Sequence, residues 1–191
     1  MINFEFNENT VRMVENKLGD MKSQTPKVLK DALNNTAKQA RTDLRRKAQD
    51  TYTVKAGSFN KAMTIKKAVP RDLVAIIKTE GKPLPLTYFR TKKQEGIGET
   101  AKVLKKGKMK PLQKGNIKAF RTGVTAGGVG KVHVGLFQRT GSARLPIKQL
   151  YSNSIPKMIG NEYRVFGVVE PKIKENLQKN IEGQIKRVLG E

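Results

Sequence analysis

The sequence has no cysteine and no tryptophan, and its only histidine is His133. Without cysteine there are no disulfides, thiolate metal sites or thiol nucleophiles, so a small secreted disulfide scaffold is excluded. A single imidazole leaves little for a triad or a histidine metal centre. His133 falls in an alternating segment and reads as a strand residue. Aromatic residues make up 6% of the chain, and no basic run interleaves them as single-strand stacking platforms do. No apolar run approaches 18 residues, so a spanning helix, and with it a membrane partner, is not expected. The segment Met1–Phe6 has neither a basic region nor a long apolar stretch, so no secretory signal is expected.

Catalytic material is equally thin. The acids sit mostly on helix faces beside Lys or Arg, as Glu182 does with Lys186 at i,i+4. No general acid–base pair, metal set or cofactor motif stands out. The run Thr125-Ala126-Gly127-Gly128-Val129-Gly130-Lys131-Val132 resembles a phosphate loop only superficially. Thr125 stands where the first glycine belongs, and Val132 where a hydroxyl would hold magnesium. The run also leads into a strand rather than a helix, so it reads as a hairpin turn. The chain is therefore not expected to be an enzyme or to carry a cofactor.

What the sequence does have is positive charge. Its 191 residues carry 39 Lys and Arg against 16 Asp and Glu, a net charge of +23. Residues 100–161 contain 13 of those basic side chains and no acid at all. Such a stretch calls for an anionic neighbour, either an acidic protein surface or a phosphate backbone. Lys102, Lys105, Lys106, Lys108, Lys110, Lys114, Lys118, Arg121 and Lys131 are the candidate contacts.

Length and a hydrophobic content of 37% suit one globular domain spanning 1–191. Val11, Val14 and Leu18 predict a helix over 9–21, ended by Gly19 or Ser23. Thr25-Pro26 predicts the start of a helix of about 25 residues, with Thr25 as its cap. Its stripe is Leu29, Leu33, Ala37, Ala40, Leu44 and Ala48, with Arg41, Arg45, Arg46 and Lys47 on the solvated face. Residues 65–69 and 73–79 read as a hairpin turning at Pro70-Arg71-Asp72. The glycine-rich, lysine-dense stretch 90–130 reads as a basic loop, extended hairpin or arm. Lys131–Arg139 alternates as a strand, with Val132, Val134 and Leu136 on one face. From Ile155 the pattern is helical. Val165, Val169, Ile173, Leu177, Ile181, Ile185 and Leu189 recur every four residues, with a kink or new start at Pro171. The fold class is α+β: a long N-terminal amphipathic helix, a small antiparallel sheet with a basic loop or hairpin, and a C-terminal helical segment over 162–191 kinked near Pro171.

Three further runs carry a family resemblance. They are Gly135-Leu136-Phe137-Gln138-Arg139-Thr140-Gly141, Arg144-Leu145-Pro146-Ile147-Lys148-Gln149-Leu150-Tyr151 and Ser154-Ile155-Pro156-Lys157-Met158-Ile159-Gly160-Asn161. With Asn34-Asn35-Thr36-Ala37 upstream and Glu170-Pro171-Lys172-Ile173 downstream, the chain resembles the prophage minor tail protein Z family of long-tailed bacteriophages. The resemblance implies a non-enzymatic virion protein, made in the host cytoplasm, that completes the tail or the head–tail junction. It also implies a homo-oligomeric ring, often sixfold, around the DNA channel, bound to tail terminator, tail tube or head-connector proteins.

In that role Arg144, Leu145, Pro146, Ile147, Leu150, Tyr151, Ile155, Pro156 and Met158 form a proline-stiffened docking segment, packed either on the core or on a neighbouring subunit. Most of the lysines are expected to face protein, because tight phosphate binding would slow ejection of DNA. The alternative is a sequence-neutral nucleic-acid-binding protein that uses the basic 100–161 region.

Overall fold

A computed structural model describes residues 1–125, 130 and 132–190. Strand β1 (Ile2–Phe4) leads into helix α1 (Glu8–Leu18), a 3₁₀ segment (Gly19–Gln24), the long helix α2 (Thr25–Thr51) and the short α3 (Ala56–Lys61). Strands β2 (Met63–Lys66) and β3 (Ala75–Thr79) follow, then a 3₁₀ turn (Leu86–Tyr88). Next come β4 (Arg90–Gln94), β5 (Gly98–Lys102), β6 (Lys110–Pro111), β7 (Gln113–Lys114), β8 (Ile117–Lys118), β9 (Phe120–Val124), β10 (His133–Arg139) and β11 (Ile147–Gln149). Helices α4 (Ile155–Ile159) and α5 (Phe166–Leu189) close the chain. The α+β class is as expected. The chain divides into two compact units: Met1–Lys47 with Asn60–Glu80 and Ile159–Glu191, and Ala48–Phe59 with Gly81–Met158.

In the first unit, Asn7 caps α1: its side-chain oxygen accepts the N–H of Thr10 at 2.9 Å. Gly19, at φ 51°, ends the helix in a conformation that glycine adopts without penalty. Thr25 does not cap α2. The chain arrives already coiled, Thr25 itself is helical at φ −49° and ψ −49°, and its buried hydroxyl has no partner. A side-chain cap needs an extended residue at that point. The predicted stripe of α2 is fully covered, with Leu29, Leu33, Ala37, Leu44 and Ala48 all 0% exposed. Val14 and Leu18 of α1, Val28, Leu29 and Ala32 of α2, and Ile181 and Ile185 of α5 form one apolar cluster. Each large side chain so buried contributes about 1.5–3 kcal/mol.

Polar clamps fix this packing. Asn34 donates to the carbonyl of Ala68 at 3.0 Å and accepts its N–H at 2.9 Å. Asn180 of α5 donates to Thr36 and Gln39 of α2, and Lys172 pairs with Asp43 at 3.0 Å. Arg41, expected on a solvated face, instead donates to the carbonyls of Met63 and Asn60 and to the Asn60 side chain. The β2–β3 hairpin forms as expected, closed by reciprocal bonds between Val69 and Asp72, and β1 adds on the far side of β3.

The C-terminal helical pattern is interrupted. Gly160 leads to Asn161, whose carbonyl accepts the N–H groups of Arg164, Val165 and Phe166, and α5 begins at Phe166 rather than at Pro171. Pro171 lies inside the helix, where it removes the ladder bond to Gly167. A Cβ on Gly167 would stand 2.3 Å from the Glu162 carbonyl oxygen, so only glycine lets the turn close on the helix.

The second unit is built of short antiparallel strands. Stretch 90–130, read as a loop, hairpin or arm, holds all of β4 to β9, in the orders β4-β5-β6, β7-β8 and β11-β10-β9. Backbone bonds from Leu112 to Glu99 and from Ala119 to Leu112 join the first two groups. The expected apolar face of β10 is only partly covered. Leu136 is 0% exposed, but Val132 and Val134 are 63% and 53% exposed. The register explains this. β11 pairs with β10 only from Phe137 onward, so His133–Gly135 form a two-stranded ribbon with β9 alone. Ala126–Val129 and Lys131, read as the hairpin turn and one electrostatic contact, lie outside the described residues.

Candidate interaction surface

The charge asymmetry seen in the sequence becomes a property of one unit. The second unit carries 18 Lys and Arg against 3 Asp and Glu, net +15 of the chain's +23. One of its acids is internal. Glu99 is 5% exposed, and its Oε1 lies 3.6 Å from Nε of Arg121, which also donates to Thr91 at 2.9 Å. Arg121, proposed from sequence as an outward contact, is therefore partly committed to this internal charge. Lys118 is committed too, since its ammonium donates to the Gly96 carbonyl.

The register sorts the other cations by face. Arg90 lies opposite Lys102, and Lys92 opposite Thr100. Because side chains alternate along a strand, Arg90, Lys92 and Lys102 share one face, while Thr91, Lys93 and Glu99 take the other. Residues directly opposite have Cβ atoms about 5 Å apart. Like charges set directly opposite one another are unfavourable, and no acid on this face offsets the Arg90–Lys102 pair. The chain leaves β5 from the Lys102 end into a turn bearing the exposed Lys105, Lys106 and Lys108, fixed by bonds from Lys105 to Thr51 and from Gly107 to Leu104. Lys110 follows on β6 and Lys114 on β7, both exposed. Arg90 and Lys92 lie before the acid-free window and were missed. The Arg-Thr-Lys alternation was the available signal, but its pairing partner was not.

The docking segment splits in two. Ile155 and Met158 are buried at 3% and 0% exposure, and Ile147, Leu150 and Pro156 are half-buried. Arg144, Leu145, Pro146 and Tyr151 face solvent, with Leu145 66% and Tyr151 53% exposed. The backbone beneath them is stitched on both sides: Leu150 donates to Leu136 and Ser152 to Leu84, while Leu150 accepts from Leu86. Thr140 N–H and hydroxyl both donate to the Pro146 carbonyl. The Tyr151 hydroxyl donates to Gln149, whose amide nitrogen lies 2.8 Å from Nε2 of His133. Arg139 stands over the Phe120 ring, 5.9 Å from its centroid. Exposed apolar side chains therefore sit on a fixed backbone, as protein-binding anchors do.

The first unit offers a different surface. A groove of about 520 Å³ is lined by Asp20, Lys27, Asp31 and Arg187 among others, opposite charges interleaved. On α5, Lys179 hydrogen-bonds Glu175 and, by that bond and its charge, holds the carboxyl below its usual range. Among the described residues, no cluster of three or more His, Cys, Asp or Glu could hold a metal, and no helix is long and apolar enough to cross a membrane.

No curated protein and no solved structure matches the chain. The family model described as prophage minor tail protein Z (GPZ) matches residues 8–191. That span takes in the clamped long helix, the basic strands, the stitched Leu145–Tyr151 segment and the C-terminal helix, and the chain belongs to the prophage minor tail protein Z family.

Proposed function

We propose that this chain completes the phage tail or its junction with the head, acting as a structural piece rather than a catalyst. The observation that carries the reading is the family match over 8–191. In this reading it assembles in the host cytoplasm and stays in the virion as a ring, most simply a hexamer, around the DNA channel. Its neighbours are further copies of itself and tail terminator, tail tube or head-connector proteins. Leu145 and Tyr151 supply the apolar anchors, since they are exposed on a backbone fixed from both sides. The experiment is complementation of tails made without the protein. Tyr151→Ala with Leu145→Ser is expected to lower incorporation at least tenfold, with stability changed by less than about 0.5 kcal/mol. Undiminished incorporation, or normal infectious particles without the chain, refutes the reading.

A second reading, nucleic-acid binding as the chain's whole role, draws on the +15 unit. It predicts that the chain is absent from DNA-free tails, whereas the first predicts that it is present.

A further inference from the structure

We infer that the face formed by Arg90, Lys92 and Lys102, with the Lys105, Lys106 and Lys108 turn beyond it, contacts the phosphate backbone of duplex DNA without reading sequence. The register makes the face. Arg90 is held opposite Lys102, Lys92 stands two residues along the same strand, and the turn leaves β5 from that same end. None of these six cations has an ion pair among the described residues; five are exposed and Lys102 is half-buried. Arg90 and Lys102, set directly opposite one another, are mutually unfavourable, and an external anion lying across them relieves this.

The choice between phosphate and an acidic protein follows from what the face lacks. Protein interfaces are centred on buried aromatic and apolar anchors and are depleted in lysine. Here five of the six cations are lysine; of the exposed large apolar residues of this unit, Tyr88 lies nearest in the chain, two residues before Arg90, Ile97 sits at the far turn of the β4–β5 pair, and Val132, Val134, Leu145 and Tyr151 are on other segments. Lysine point charges on a stiff ladder suit a repeating backbone charge and give no base readout. The inference stands on this face and does not depend on where the chain sits in the virion.

The test is titration of the full-length protein into a fluorescent mixed-sequence duplex at several salt concentrations. Each phosphate neutralised steepens log Kobs against log salt by about 0.9, so the full face gives a slope near −5. Lys105→Gln, Lys106→Gln and Lys108→Gln together are expected to flatten the slope by about 3. The matching Lys→Arg triple variant keeps it, and Lys174→Gln with Lys179→Gln on α5 leaves it unchanged. Polyglutamate is expected to compete at least tenfold less well than unlabelled duplex. Absent duplex binding, a Gln triple variant with the original slope, an equal loss from the α5 pair, or polyglutamate matching duplex each overturns the proposal, the last in favour of an acidic protein.

Discussion

Asn34 offers the sharpest test of how the first unit is held together. Its side chain makes two bonds to one peptide unit, donating to the Ala68 carbonyl at 3.0 Å and accepting the Ala68 N–H at 2.9 Å. Ala68 is 3% exposed, so water does not readily replace either partner. A net intramolecular hydrogen bond contributes about 0.5–1.5 kcal/mol, and a buried group left unpaired costs about 1–3. Asn34→Ala removes both bonds at once and strands both backbone groups, so a loss of about 2–3 kcal/mol is expected. For a chain of this length that is a drop of roughly 4–12 °C in melting temperature. Asn34→Asp separates the two halves: the carboxylate still accepts the N–H but now faces a carbonyl oxygen with no proton to offer. At neutral pH it is expected to be no better than Ala. Thermal and urea denaturation followed by circular dichroism read both. An Asn34→Ala variant within 0.5 kcal/mol of the original refutes the idea that this clamp holds the β2–β3 connection to α2.

Gly167→Ala places a methyl group 2.3 Å from the Glu162 carbonyl oxygen, which is backbone and cannot swing away; a loss of about 1–3 kcal/mol is expected by urea denaturation. Arg121→Ala leaves Glu99 as a buried carboxylate without its cation and is expected to cost about 1–3 kcal/mol, tempered by the 43% exposure of Arg121; adding Glu99→Gln recovers part of that loss, a positive coupling that a double-mutant cycle reads. Glu175 has its carboxyl lowered by the bond and charge of Lys179, so its contribution to stability is present above the unfolded-state value and lost as pH falls through the folded one. Replacing Lys179 with Met is expected to return the Glu175 titration, followed by NMR, toward the usual carboxylate range.

The helices were legible because their information is local. Leu29 to Ala48 and Val165 to Ile185 repeat at intervals that one helix face alone explains, and those residues are largely buried. Stretch 90–130 was opaque for the opposite reason. Its strands are two to five residues long, rich in lysine, and defined by partners such as Arg90 with Lys102 that adjacency does not reveal. Arg41 misled because a long cationic side chain beside an apolar stripe looks solvated until the carbonyls of Asn60 and Met63 are placed in its reach. Thr25 misled because a capping residue is recognisable only if the chain before it is extended, and here it was already coiled. For the candidate surface, the cation density of 100–161 was plain. Its sorting into an internal pair at Glu99 and an outward ladder at Arg90 was not, since strand parity decides it.

The concentration of charge in one unit also governs how the molecule travels before it touches anything. Fields from an anionic structure act over about 10 Å at moderate ionic strength, and the pull on the +15 unit exceeds that on the remaining +8. Copies of a chain that carries +23 repel one another at close range unless counter-charge lies between them.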